Sequence, residues 1–275
     1  MAFDLDEIGP WSEVKLDILR KYCVPYSSIL RANNFRHGYI DAFSGPGLHV
    51  RKGDKKEVQG SPVVALNVEP PFSEYHFIDL DGEKIEHLKS QVGSRPGVEF
   101  YTGDSNRLLR ETILPRFTFE QRTRALCLLD PYKLTLDWDV VTQAGQSRAV
   151  EVFINFPIMH MNRNCKKRAL AEILPGELGA MDSFWGDRSW HNAMFRNTGQ
   201  MDMFGGMDLE KNENDVLVSA YCSRLRDKAG FGFVAEPLPM RNSKGATVYF
   251  LIFAGPNATG WKIVQSIYNS YRQGT

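Results

Sequence analysis

Trp11, Val14, Ile18, Leu19 and Tyr22 recur at the spacing of one helical face, and Pro25 interrupts the series. The pattern predicts a helix over 11–24 and a shorter one to about 32. Beyond it, apolar runs of strand length alternate with helical periodicity. Gly38–Phe43, Glu74–Leu80, Val98–Thr102, Arg124–Leu129 and Val150–Asn155 predict five strands. Helices are expected from Ser61, where the serine can cap and Pro62 suits the first helical position, from Asp81 to about Val92, and over Asn106–Leu114. Leu48–Gly60 is polar and basic and predicts a loop. Such alternation implies right-handed βαβ units and a mostly parallel sheet. Near the end, Gly232–Pro239 and Thr247–Ala254 are β-rich runs joined by Arg241–Gly245, which predicts an antiparallel hairpin, and Asn257 opens a last helix.

The expected architecture is therefore α/β, with a seven-stranded sheet in one domain spanning 1–275. Its parts are N-terminal helices (1–37), a core (38–158), a mostly helical insertion after the fifth strand (159–230), and a terminal hairpin and helix (231–275). In the insertion, Phe184, Trp185 and Trp190 are expected to pack the cap.

Composition narrows the function classes. The 275 residues carry 33 Lys+Arg against 33 Asp+Glu, so a nucleic-acid partner must be argued from local clusters and not from overall charge. The longest unbroken apolar run, Val248–Ala254, is far short of the ~18 residues of a membrane span. The acidic N-terminus lacks the basic start of a signal peptide. Cys23, Cys127, Cys165 and Cys222 form no Cys-x-x-Cys pair, which predicts a reducing, cytoplasmic setting without a cysteine metal site. The six histidines show no ligand spacing, so no metal is expected.

Ligands of open α/β sheets sit outside the carboxyl ends of the strands. Those ends read Asp41-Ala-Phe-Ser-Gly-Pro-Gly47, Ile78-Asp79, Gly103-Asp104, Asp130-Pro131-Tyr132 and Asn155-Phe-Pro157. Gly45 and Gly47 let backbone approach a cofactor, or simply make a tight turn. Asp79 can accept from a ribose diol, and Asp81 is better placed than it to cap the following helix. Asp104 either accepts from an adenine amino group or caps the helix at Asn106. A nicotinamide fingerprint fails, because Val50 stands where a small residue is needed and Asp79 lies 34 residues beyond Gly45 instead of ~20. The phosphate-loop pattern of nucleotide hydrolases is absent.

Together these ends and the terminal hairpin resemble class I S-adenosylmethionine-dependent methyltransferases. More narrowly, Tyr39–Gly47, Gly60-Ser-Pro62, Leu128–Tyr132, Ile154–Pro157 and Tyr249–Phe253 resemble the three-Cys-motif partner proteins, over nearly the whole chain. The resemblance implies a Rossmann-like class I methyltransferase fold, S-adenosyl-L-methionine as cofactor, a bacterial source and a separately encoded three-Cys-motif protein as partner. It places Asp41, Phe43, Gly45, Gly47, Asp79 and Asp104 at the cofactor, Asp41 being alternatively a buried carboxylate held by backbone amides.

Asp130, Pro131 and Tyr132 resemble the Asp-Pro-Pro-aromatic turn of base amino-methyltransferases. There the acid and a proline carbonyl hold the amine, and the aromatic stacks on an extruded base. Here a single proline stands and Lys133 follows, so Tyr132 either stacks on substrate or fills the cleft. Arg51, Lys52, Lys55 and Lys56, with Arg163, Lys166, Lys167 and Arg168, are candidate nucleic-acid contacts or solvated surface. The expected function is methyl transfer to an amine of a nucleic-acid base. The alternatives are a cofactor-binding module without turnover, and a methyltransferase for a small molecule or for the partner protein.

Overall fold

The computed structural model describes residues 5–165, 170–201 and 207–273. In chain order the elements begin with β1 (Glu7–Ile8), α1 (Pro10–Ala32), β2 (Arg36–Asp41), β3 (Leu48–Arg51), β4 (Glu57–Gln59) and α2 (Ser61–Leu66). β5 (Glu74–Asp79), α3 (Gly82–Val92), β6 (Val98–Thr102), α4 (Ser105–Leu108), β7 (Thr123–Leu129), α5 (Trp138–Gln146) and β8 (Val150–Phe156) follow. Next come α6 (Ile158–Asn164), α7 (Pro175–Trp185), α8 (Trp190–Met194), β9 (Phe195–Met201), β10 (Met207–Lys211) and α9 (Asn214–Asp227). The chain closes with β11 (Phe233–Val234), β12 (Leu238–Arg241), β13 (Thr247–Gly255) and α10 (Ala258–Gln273).

The main sheet runs β11-β13-β8-β7-β2-β5-β6, with β12 also paired to β13. The five strands from β6 to β8 are parallel, and β13 joins them antiparallel. From β2 the chain builds outward through β5 and β6 on one side and through β7 and β8 on the other. The carboxyl end of β2 is therefore the switch point where a ligand crevice opens.

The strands are buried on both faces, and successive residues serve opposite cores. Tyr39, Leu126, Phe153 and Phe253 pack with α1, α2, α3 and α10. Ile40, Cys127, Ile154 and Ile252 pack with α5 and the insertion. This explains why the strands read as continuous apolar runs.

Several expectations are corrected. The first helix does not end at Pro25; α1 continues through it to Ala32. Leu16, Ile18, Leu19, Tyr22, Cys23 and Tyr26 all bury against the sheet, and that packing outweighs the ~3 kcal/mol of an interior proline. Eight strands replace seven, because the run expected as one strand splits into β11 and β12, with Pro237, which has no N–H to donate, in the gap. The Leu48–Gly60 loop is the hairpin β3–β4, with β1 laid parallel on β3. Gly60, not Ser61, caps α2, and Ser61 and Pro62 are its first two helical residues. The Asn106–Leu114 helix breaks into α4, a π turn over Leu109–Ile113 and a 3-10 turn over Leu114–Arg116, where Pro115 again removes a donor. The insertion contains an antiparallel β9–β10 pair besides its helices. Its aromatics do pack inward: Phe184, Trp185 and Trp190 are buried, and Phe184 stacks on Tyr221 at 5.4 Å.

A polar node joins the chain's two ends. Glu151 of β8 is fully buried, accepts hydrogen bonds from the Tyr22 hydroxyl of α1 and, at 2.9 Å, from Asn257 Nδ2 ahead of α10. Burial pushes its carboxyl up to about 7.

Candidate cofactor and active site

The loop after β2 is tied to both neighbouring strands: Ala42 N–H donates to the Leu128 carbonyl at 3.1 Å and Ser44 N–H to that of Ile78 at 2.8 Å. Gly45 and Gly47 then adopt φ of +62° and +81°, a conformation that glycine reaches without steric penalty. At Gly47 a side chain is also excluded by space, since a Cβ would stand 2.5 Å from Leu88 Cδ1. The Gly47 carbonyl accepts from Gly60 N–H at 2.7 Å, so the turn is clamped to the start of α2.

Asp79, ending β5, accepts from Gly45 N–H through Oδ2 and from Asp81 N–H through Oδ1, both at 2.9 Å. One carboxylate thus fixes the glycine turn and the entry to α3, leaving a lone pair on each oxygen. Asp81 caps α3 through Glu83 N–H, as expected. Asp104 caps α4 through Asn106 N–H at 2.9 Å and also lines the cavity. Asn106 in turn donates to the Thr135 carbonyl at 2.7 Å and accepts from Asp137 N–H at 2.9 Å, which anchors the loop after β7.

These ends surround a cavity of about 740 Å³, within the ordinary range for a small-molecule site. Phe43, Gly45, Asp79, Asp104, Asp130 and Tyr132 all line it. Asp41, Gly47 and Pro131 do not. Asp41 is fully buried in β2, with Tyr39 hydroxyl donating to Oδ2 at 3.2 Å and Oδ1 without a partner among the described residues. Burial, with the charge of Asp130 adding, pushes its carboxyl up to about 6. Pro131 is buried under the turn, and Tyr132 stands 75% exposed at the rim with Lys133 Nζ 5.1 Å from its ring centre.

Asp130 is held by groups that the strand-end motifs did not disclose. Lys15 of α1 donates to its Oδ2 and Asn155 of β8 to its Oδ1. Lys15 comes from an amphipathic helix whose polar positions look alike in sequence, so no signal marked it. His49, two residues past Gly47, also lines the cavity; its Nδ1 has no partner among the described residues, and burial, then the Lys15 charge, pulls its pKa down. Its closeness to the glycine turn was a readable signal. Asp6, Ile8, Ser12 and Leu16 complete a cover formed by the N-terminal segment.

The first basic cluster is largely neutralised. Arg51 makes a two-pronged bond to Glu13 (2.9 and 2.7 Å) and a third to Asp54 at 3.2 Å. Lys55 pairs with Glu7 and Lys56 with Asp54, while Lys52 is exposed. Arg163 contacts Met159 Sδ at 3.4 Å, and Lys166, Lys167 and Arg168 lie outside the described residues. Histidine spacing suggested no metal, yet pairing of β5 with β6 gathers Glu74, His76 and Glu99, groups of metal-ligating type. Each carboxylate there already carries a guanidinium, Arg36 at 3.0 Å and Arg116 at 2.7 Å.

No protein-family model and no curated protein matches the chain in sequence. Among solved structures it is similar to a Legionella pneumophila protein at 10% identity and TM-score 0.47, over 93% of this chain and 92% of that one. It is also similar to a Listeria monocytogenes protein described as an S-adenosylmethionine-dependent methyltransferase, at 12% identity and TM-score 0.42, over 80% and 91%. A Methanosarcina mazei protein of the same description aligns at 8% identity and TM-score 0.32, over 79% and 92%.

Proposed function

We propose that the cavity binds S-adenosyl-L-methionine and that the chain is a class I-type methyltransferase acting on an amine. The observation that carries this reading is the convergence of Asp79, Asp104 and Asp130, from the ends of three parallel strands, on one cavity floored by the Gly45 turn. The residues suit the group. Asp79 retains lone pairs for a ribose diol, Asp104 and Asn106 offer polar atoms to adenine, and Ser44 Oγ and His49 Nδ1, both on the cavity wall, lack partners among the described residues.

The bound cofactor would supply a methyl group activated by a positively charged sulfur. Asp130 would accept a hydrogen bond from the acceptor amine and turn the nitrogen lone pair toward that methyl, catalysis by positioning. Lys15 and Asn155 hold the carboxylate in one orientation. The exposed Tyr132 ring at the rim offers a stacking face, which favours an amine carried on a planar base of a nucleic acid. The Lys15–Asp130 ion pair favours a second reading: a module that binds the cofactor without turnover and acts through a partner such as a three-Cys-motif protein.

Calorimetric titration with S-adenosylhomocysteine tests the first step, and radiolabelled methyl transfer into DNA, RNA and the partner protein tests the second. Binding with transfer to a nucleic acid is expected. Binding without transfer to any acceptor selects the module, and no binding at millimolar ligand removes both readings.

A further inference from the structure

At the opposite, amino-terminal edge of the sheet, three turns feed β2, β7 and β8, and they bring together residues far apart in sequence. The Arg122 guanidinium lies 4.4 Å from the Phe35 ring centre, and Arg124 lies 4.5 Å from Phe35 and 4.8 Å from Phe119. Arg148 lies 5.2 Å from Phe119. The result is a continuous alternating ladder: Arg122, Phe35, Arg124, Phe119, Arg148. It is separated from the cavity by the length of the strands, roughly 20 Å for six residues at ~3.3 Å each.

Two features set this ladder apart from solvated surface charge. Among the described residues, none of the three guanidiniums forms an ion pair with a carboxylate, whereas Arg36, Arg51 and Arg116 all do. Burial, with the charge of Arg122 adding, lowers the pKa of Arg124 against the opposing influence of Tyr26, Glu151 and Glu120. Second, Arg122 and Arg148 both occupy left-handed backbone, each at φ 55°. Glycine would serve those turns at lower cost, so arginine there stands against the local conformational preference. Strain of this kind is retained where the side chain has a use.

We propose that this ladder is a binding surface for single-stranded nucleic acid, independent of the methyltransferase reading. Arg122 gives one Nη2 bond to the Asn33 carbonyl at 2.9 Å and Arg124 one Nη1 bond to the Thr123 carbonyl at 2.8 Å, and the N–H groups that remain on these flat-stacked guanidiniums can donate to phosphate. Half-exposed Phe119, at 49%, and the planar guanidiniums give unstacked bases a surface to lie on. The turns present neither a helix nor a β-ribbon to a duplex groove, which favours a flexible single strand.

The test is fluorescence anisotropy of a 5′-labelled fifteen-residue oligothymidine with the full chain at 50 and 200 mM salt. The variant is Arg122→Gly together with Arg148→Gly, which relaxes both left-handed turns while removing the Arg122–Asn33 hydrogen bond and two ring contacts, so the fold should be kept, as read by circular dichroism. At ~0.7 per phosphate neutralised, three arginines predict a log–log salt slope of about −2. The double variant should bind at least ~10-fold more weakly at 50 mM, with a slope near −0.7, and retain wild-type affinity for S-adenosylhomocysteine. Unchanged binding by the variant, absence of binding by the wild type at 50 mM, or equal competition by polyglutamate overturns the proposal. Failure here leaves the cavity assignment standing, because S-adenosylhomocysteine binding is read separately.

Discussion

Asp79 shows how one side chain can serve fold and function together. Its two oxygens each accept a backbone N–H, so Asp79→Ala frees the Gly45 and Asp81 amides and removes the ribose acceptor at once. Affinity for S-adenosylhomocysteine, read by calorimetry, should fall by about 1–3 kcal/mol, the range for hydrogen bonds to a charged group. Asp130→Asn retains size and one acceptor oxygen while leaving Lys15 without its counter-charge. Cofactor binding should persist and methyl transfer should drop roughly 100-fold or more, the scale of a positioned acid–base group. A parallel loss of both would make Asp130 a structural anchor. The strand-end acids and the glycine turn were readable because topology alone sends strand ends to one crevice. Lys15 was not, because its partner is 115 residues away and nothing local distinguishes one polar helix position from another.

At the scale of elements, α1 and α10 meet over β8 with little room. A Cβ at Gly260 would stand 2.6 Å from the Tyr22 hydroxyl and 2.7 Å from Glu151 Oε1, both fixed in a buried hydrogen-bonded node. Gly260→Ala therefore overpacks the crossing and should lower stability by about 1–3 kcal/mol in denaturant unfolding. An unchanged midpoint would mean that the helices separate more easily than the packing implies. The same crossing explains the misplaced helix end. Pro25 is a genuine stop signal locally, but the buried apolar side chains of α1 carry the helix on through it.

For the whole molecule, Glu151 couples stability to pH. Its folded pKa of about 7 exceeds the ordinary 4.5, so between those values the native state keeps a proton that the unfolded state has released. This group's contribution to stability is greatest at low pH, declines as pH rises through that window and is level above it. Glu151→Gln removes the titration; the wild-type minus variant difference in unfolding free energy should decline from pH 4.5 to 7 and then stay flat. A constant difference would place the ionisation elsewhere. The sequence by itself determined the α/β class, the five parallel strands, the terminal antiparallel pair and the acids at strand ends, because strand alternation, apolar runs and turn glycines are local consequences of backbone geometry. Tertiary structure decided the split of β11 from β12, the N-terminal cover, the Lys15–Asp130 pair, the neutralisation of Arg51 and the arginine–phenylalanine ladder. Each of these depends on groups distant in sequence meeting across the sheet, and such meetings leave no periodic trace in the chain.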